Sequence, residues 1–242
     1  MSKATKVLIG SFTFVLAIMS ASRGLSQDGG ASAAQVISRD SITRGKYTLI
    51  FINKQPDFDS TTRRRMIDAF FTVYPKEAKR FNPHTLRRVT FVIDPAYDGV
   101  AATGDGVSTF SPRWMKAYPE DIDVVTHEVM HIVQDYRHEV PGWLTEGIAD
   151  YARYVYGVNN VGSRWRLYDY HSGQSYTNAY RITARFLVWV EKNKNHRIVD
   201  KLDAAMRKGT YTPDLWVKLT GKPVDDLWKE YAQKPAVPLT YK

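Results

Sequence analysis

His127-Glu128-Val129-Met130-His131 sets two imidazoles four residues apart, with a carboxylate directly after the first. On an α-helix, residues i and i+4 lie one turn apart on the same face, so the two rings can converge on a single metal ion. Glu128 would then stand beside the metal's open position, where a carboxylate can take a proton from a bound water. The chemistry this spacing offers is metal-assisted hydrolysis. Two histidines and a glutamate on a solvated helix face would carry the same letters, so the flanking elements have to decide.

Those elements agree with a metal site. Asp121-Ile-Asp-Val-Val-Thr brings acidic residues and then an apolar run, which predicts a helix beginning near Pro119–Asp123 with both histidines in its middle. Pro141-Gly142 breaks the chain, and a second helix is predicted from about Trp143 to Tyr156, stopped by Gly157. Glu146 falls early in that helix, placed to be the third protein ligand. Asp150 shares its face and could orient a metal-bound imidazole through the far ring nitrogen. Glu146-Gly-Ile-Ala-Asp150-Tyr matches the Glu-x-x-x-Asp pattern that follows HExxH in gluzincin metallopeptidases. The metzincin extension is excluded by spacing, since it needs Gly at 134 and His or Asp at 137, where this chain has Gln134 and Arg137. His138 is one residue out of register and reads as a surface or helix-end histidine.

Several separated blocks resemble one family, the basic secretory proteins, peptidases of plants and bacteria. Thr126 to Gln134 resembles that family's zinc helix with its following Gln, and Pro141 to Tyr151 its second helix. Tyr180-Arg-Ile-Thr-Ala-Arg-Phe-Leu187 is similar to its downstream helix, and Leu219 to Tyr231 to its C-terminal segment. The resemblance spans roughly residues 46–235. It implies a secreted zinc peptidase-like domain, with a defence-related role proposed for plant members.

The chain begins as an export signal would. Lys3 and Lys6 precede an apolar stretch from Val7 to Met19, and Ser20-Ala21-Ser22 offers a cleavage site, so residues 1–22 are expected to be a cleavable signal peptide. The apolar stretch is short for a membrane span, and an uncleaved anchor is the alternative. There is no cysteine, hence no disulfide framework and no lipid attachment through one. Residues 23–45 are rich in Gly, Ser and Ala without a sustained period and read as a flexible tail. One metallopeptidase-like domain is expected over 46–235, followed by a short C-terminal tail over 236–242. A hydrophobic content of 43% with 13% aromatic residues excludes a disordered chain.

Formal net charge is +9, and it stays positive without Lys3 and Lys6. This favours weak binding to anionic cell-surface polymers, to acidic lipid surfaces or to acidic substrates. Arg63-Arg64-Arg65 and Arg87-Arg88 have no nucleic-acid-binding motif around them and read as solvated faces, so no nucleic-acid partner is expected. No stable membrane insertion of the mature protein is expected either.

The remaining pattern predicts an α+β fold: a small N-terminal sheet with one helix, then the zincin-like helix pair, then a helical C-terminal part. Strands are predicted at Tyr47–Ile52 and Arg88–Asp94, and two short ones around the turn Gly104-Asp105-Gly106. Ser60 can cap a helix running to about Tyr74, with Pro75 ending or kinking it. Everything after about Asp121 is helical in pattern, including a hairpin of helices around Gly221-Lys-Pro223. Gly106-Val-Ser-Thr-Phe110 could be an exposed edge strand that pairs with an extended peptide, or a plain interior strand. Trp143 is read as packing the second helix, and Trp189, Trp216 and Trp228 as core anchors.

The expected function is a secreted or periplasmic peptidase. His127, His131 and Glu146 would hold zinc (Zn2+) with a water in the fourth position, and Glu128 would act as general base on a peptide or protein substrate. An oxyanion donor is sought in the Tyr-rich segment Tyr168–Tyr180, in the order Tyr180, Tyr176, His171. The alternative is a basic binding or defence protein whose metal site serves structure only. A closed structural zinc site needs four protein ligands, and only three are found here, beside Glu128.

Overall fold

The computed structural model describes residues 35–242. The proposed signal peptide and residues 23–34 of the proposed tail lie outside the described residues. Among the described residues no helix is long and apolar enough to cross a membrane.

Five strands form one sheet. β1 (Ser38–Arg44) and β2 (Tyr47–Asn53) make an antiparallel hairpin, and β3 (Arg88–Ile93) runs parallel to β2. β4 (Ala101–Gly104) and β5 (Val107–Phe110) form a second hairpin, docked so that β5 is parallel to β3. The order across the sheet is β1-β2-β3-β5-β4. The central strands have the composition this position needs: Leu49 and Phe51 on β2, and Val89, Phe91 and Ile93 on β3, are fully buried. Asp105 and Gly106 both adopt positive φ, 50° and 76°, as a two-residue turn matched to strand twist requires. This turn fixes the β4–β5 register.

One expectation about the sheet needs correction, and one open choice is decided. The stretch read as a flexible tail contains β1, whose residues are mostly exposed because the strand covers one sheet edge and turns little towards the core. Gly106–Phe110 takes the interior option, lying between β3 and β4, so the free edge near the helices belongs to β4.

α1 (Ser60–Arg80) crosses between β2 and β3, as a parallel pair demands. Its cap is Asp59, which accepts a hydrogen bond from the Thr62 backbone N–H at 2.6 Å, rather than Ser60. Pro75 does not end the helix, which runs on to Arg80. Met66, Phe70, Val73, Tyr74 and Ala78 anchor it in the core on both sides of the proline, and that burial outweighs the one lost backbone bond.

After α2 (Pro112–Ala117) come α3 (Val124–Gln134) and α4 (Gly142–Tyr156), close to the predicted bounds. α3 is buried from Val124 to Met130 and packs on α1, α4, β4 and β5. Asp135, in the left-handed region at φ 42°, closes it. The chain from 157 to 175 is not helical, contrary to the pattern reading. Its start is held instead by Asp123, which accepts from the Val158 and Asn159 backbone N–H groups at 2.7 and 2.6 Å.

A single 3-10 turn, Tyr176–Asn178, leads into α5 (Tyr180–Asn193), α6 (Ile198–Arg207), α7 (Asp214–Thr220) and α8 (Val224–Gln233). Gly147 lets α5 press against α4, since a Cβ there would lie 2.2 Å from Thr183 Cγ2. Trp216 and Trp189 are buried as expected, and Trp143 and Trp228 are partly buried against the same aromatic cluster. The final residues lie back over the body: the Lys242 carbonyl accepts from the Val161 N–H at 2.8 Å.

Candidate metal centre

α3 and α4 pack face to face and bring the three predicted ligands together. His127 Nε2 lies 3.2 Å from His131 Nε2 and 3.2 Å from Glu146 Oε2, and His131 Nε2 lies 3.6 Å from the same oxygen. Ligand atoms bound at about 2.0–2.1 Å to a tetrahedral ion stand roughly 3.3 Å apart, so the triangle has the size of one face of such a site. These three side chains are the group among the described residues that could hold a metal ion.

The tautomers support that fit. His127 Nδ1 is 2.8 Å from Asp150 Oδ1, and His131 Nδ1 is 2.7 Å from Gln134 Oε1. Both partners are acceptors, so each ring carries its proton on Nδ1 and turns the Nε2 lone pair inward. Two lone pairs and a carboxylate oxygen facing one another at this range need a cation between them. Burial opposes a charge on His127, yet its hydrogen bonds to the Asp150 and Glu146 carboxylates hold its pKa well above the ordinary imidazole range. Burial also works against Glu146, but its bonds to His127 and His131 hold its carboxyl well below the usual carboxylate range. A divalent cation answers the same demand with one ion, and the donor set of two imidazoles and a carboxylate suits zinc.

Around this triangle stand residues from three further elements. Glu128, 5% exposed, follows His127 on α3 and accepts a hydrogen bond from Thr103 Oγ1 of β4 at 2.7 Å. Thr103 Oγ1 also lies 2.8 Å from Ser108 Oγ of β5. Gln134 is fixed in turn by donating to the Thr145 carbonyl at 2.9 Å. Tyr180 opens α5 with its ring stacked on His127, centroids 6.1 Å apart and planes 18° from parallel. Its backbone is unusual. Ala179 has φ 63° and ψ −173°, and Tyr180 itself has φ 50°. Burial, then the nearby carboxylates of Glu146, Asp150 and Glu128, push the Tyr180 phenol up to about 12, so it stays a neutral donor at neutral pH.

Sequence reasoning placed His127, Glu128, His131, Glu146, Asp150 and Tyr180 in one neighbourhood, and the fold brings them together. Tyr176 is elsewhere: its hydroxyl donates to Asp225 Oδ1 of α8 at 2.7 Å, and its ring packs on Trp143 and Phe186. The break at Ala179 separates it from the helix that carries Tyr180. His171 is exposed in the preceding loop. His138 is exposed in the loop after α3. Thr103 and Ser108 were missed, because a hydroxyl on a short strand has no spacing signal. Gln134 was visible only as a residue of the matching block, three positions beyond His131. A cavity of about 410 Å³ beside Phe58 and Met115 contains none of these residues.

No curated protein matches the chain. Among solved structures, an M1 zinc metallopeptidase from Deinococcus radiodurans bound to a Tyr-Ser-Ala substrate is similar at TM-score 0.52 and 14% identity, over 85% of this chain and 54% of that one. A two-domain M1 zinc metallopeptidase bound to L-tryptophan is similar at TM-score 0.50 and 13% identity, with the same coverage. At such identities the likeness is one of fold, and this chain spans about half the length of those structures. The family model described as a peptidase of plants and bacteria matches residues 39–231. An α+β chain that carries its helix pair and its sheet edge inside that match belongs to the peptidase family of plants and bacteria.

Proposed function

We propose that this chain is an exported zinc-dependent peptidase, with His127, His131 and Glu146 as the ligands and Glu128 as the general base. The observation that carries the reading is the convergence of two imidazole Nε2 atoms and one carboxylate oxygen at 3.2–3.6 Å, with Glu128 alongside. When bound there, zinc would polarise a peptide carbonyl and lower the pKa of a water towards about 7. The chain's own residues do the rest. Asp150 and Gln134 hold the two rings with their lone pairs inward. Glu128 takes the proton of the attacking water as the C–O bond forms, and then delivers it to the leaving amine as the C–N bond breaks. Tyr180, neutral and above the centre, donates to the oxyanion that develops on the substrate carbonyl.

The free edge of β4 supports a binding mode. An extended peptide can add to that edge through main-chain hydrogen bonds, with little demand on its side chains. The basic surface would add weak attraction to anionic cell-surface polymers. Part of the arginine run is already engaged, since Arg63 pairs with Asp40 and Arg65 with Glu120.

Glu128→Gln tests the reading. The variant is expected to keep one zinc per chain by metal analysis while turnover of unfolded casein falls about 10²–10⁴-fold. Wild-type turnover in that variant removes Glu128 from the mechanism. A zinc-loaded wild-type protein that cleaves no unfolded protein overturns the peptidase reading itself.

A further inference from the structure

The hydroxyls of half-buried Thr103 and buried Ser108 lie side by side next to the carboxylate of Glu128. Thr103 and Ser108 are directly opposite in the β4–β5 register, so their side chains leave the sheet on the same face, towards α3. A slip of one residue would turn both away, and the Asp105-Gly106 turn prevents it. Ser108 is fully buried. Thr103 Oγ1 stands 2.7 Å from Glu128 Oε2 and 2.8 Å from Ser108 Oγ, and it has one hydrogen to give. An ionised carboxylate can only accept. The carboxylate is the stronger acceptor of the two, so the Thr103 hydrogen goes to Glu128, and Ser108 Oγ packs beside Thr103 Oγ1.

We propose that Thr103 is a positioning residue for the general base: it ties down Oε2 of Glu128 and leaves Oε1 as the oxygen free to receive a proton. Two consequences follow from the geometry. The base is fixed from the sheet rather than from its own helix, so its place depends on β4 being in register. The strand that offers its edge to an extended peptide is also the strand that aims the base. The effect belongs to the chemical step, since Thr103 reaches no ligand atom of the metal triangle.

The proposal rests on the peptidase reading for its kinetic arm and stands apart from it in its structural arm. Thr103→Val removes the hydroxyl at nearly equal volume, and Thr103→Ser restores it. In the zinc-loaded protein acting on fluorescein-labelled casein, Thr103→Val is expected to lower kcat about 10–100-fold with KM within about twofold and zinc content unchanged. Thr103→Ser should recover most of that loss. In crystals of the metal-free proteins, the Glu128 carboxylate should move by about 1 Å or divide between rotamers in Thr103→Val, and return in Thr103→Ser. A kcat within twofold of wild type in Thr103→Val overturns the assignment. So does a fall that Thr103→Ser does not recover, or a Glu128 carboxylate that stays in place. If the wild type cleaves nothing, the peptidase reading fails, and the crystallographic comparison still decides what Thr103 does to Glu128.

Discussion

Two clusters of charge include residues of α4, and they differ in where the cation comes from. At the C-terminal end of α1, Arg80 donates to Asp200 at 2.6 Å and to both Tyr151 and Glu191 at 3.0 Å, while Tyr151 donates to Glu191 at 2.6 Å. There the guanidinium fills the centre and the acceptors close around it, joining α1, α4, α5 and α6. At His127, His131 and Glu146 the acceptors close in the same way, but among the described residues no lysine or arginine pairs with them. One cluster carries its cation on a side chain, and the other, on the reading proposed above, would take its cation from outside the chain. The difference separates two kinds of failure: loss of the first should cost fold stability, and loss of the second should cost chemistry.

The largest expected effect breaks the joint. Arg80→Met leaves Glu191 and Asp200 partly buried without their cation, and should destabilise the fold by about 3 kcal/mol in urea unfolding. Zinc affinity should stay at the wild-type value. A loss below about 1 kcal/mol would mean that the cluster is not a joint. The next contrast lies between two tyrosines. The hydroxyl of Tyr151 is committed to Glu191, while that of Tyr180 makes no hydrogen bond to another described residue. Tyr180→Phe should lower turnover about 100-fold with zinc content unchanged, whereas Tyr151→Phe should lower stability and leave kcat alone. Equal turnover in Tyr180→Phe and wild type removes it as the oxyanion donor.

The smallest effect distinguishes the supports of the two rings. His127 leans on a carboxylate from the neighbouring helix, and His131 on an amide from its own. Asp150→Asn should weaken zinc binding about 10–100-fold in competition with a chelator, by taking charge away from the ring's support. Gln134→Leu should weaken it less, because a neutral acceptor contributes less to ligand basicity. The reverse order would mean that helix geometry, rather than charge, sets the ligand strength.

The helical half of the site was legible because helix spacing is itself geometry: i and i+4 place His127 with His131, and Glu146 with Asp150, before any tertiary contact is known. The strand half was not. Which hairpin strand reaches an edge depends on how the hairpin docks, and here the parallel pairing of β5 to β3 sends β4 outward. That single choice puts Thr103 beside Glu128, and no residue spacing records it. β1 was hidden for a related reason, since an exposed covering strand needs only Ile42 turned partly inwards and otherwise has the composition of a tail. Tyr176 was misplaced by a step that periodicity cannot see. Counting back one turn from Tyr180 assumes a continuous helix, and the chain changes direction at Ala179.

That residue also carries a consequence for how the protein can change over generations. Ala179, at φ 63° and ψ −173°, occupies backbone territory that is essentially glycine's, and Tyr180 follows in the left-handed region. Each such residue costs about 1–3 kcal/mol. Glycine at 179 would relieve the first of these, and would also loosen the backbone that leads into the Tyr180 ring stacked on His127. Robustness of the fold and orientation of the ring are therefore opposed at a single codon. A lineage under heat has an easy gain there, and a lineage living by turnover has a reason to refuse it.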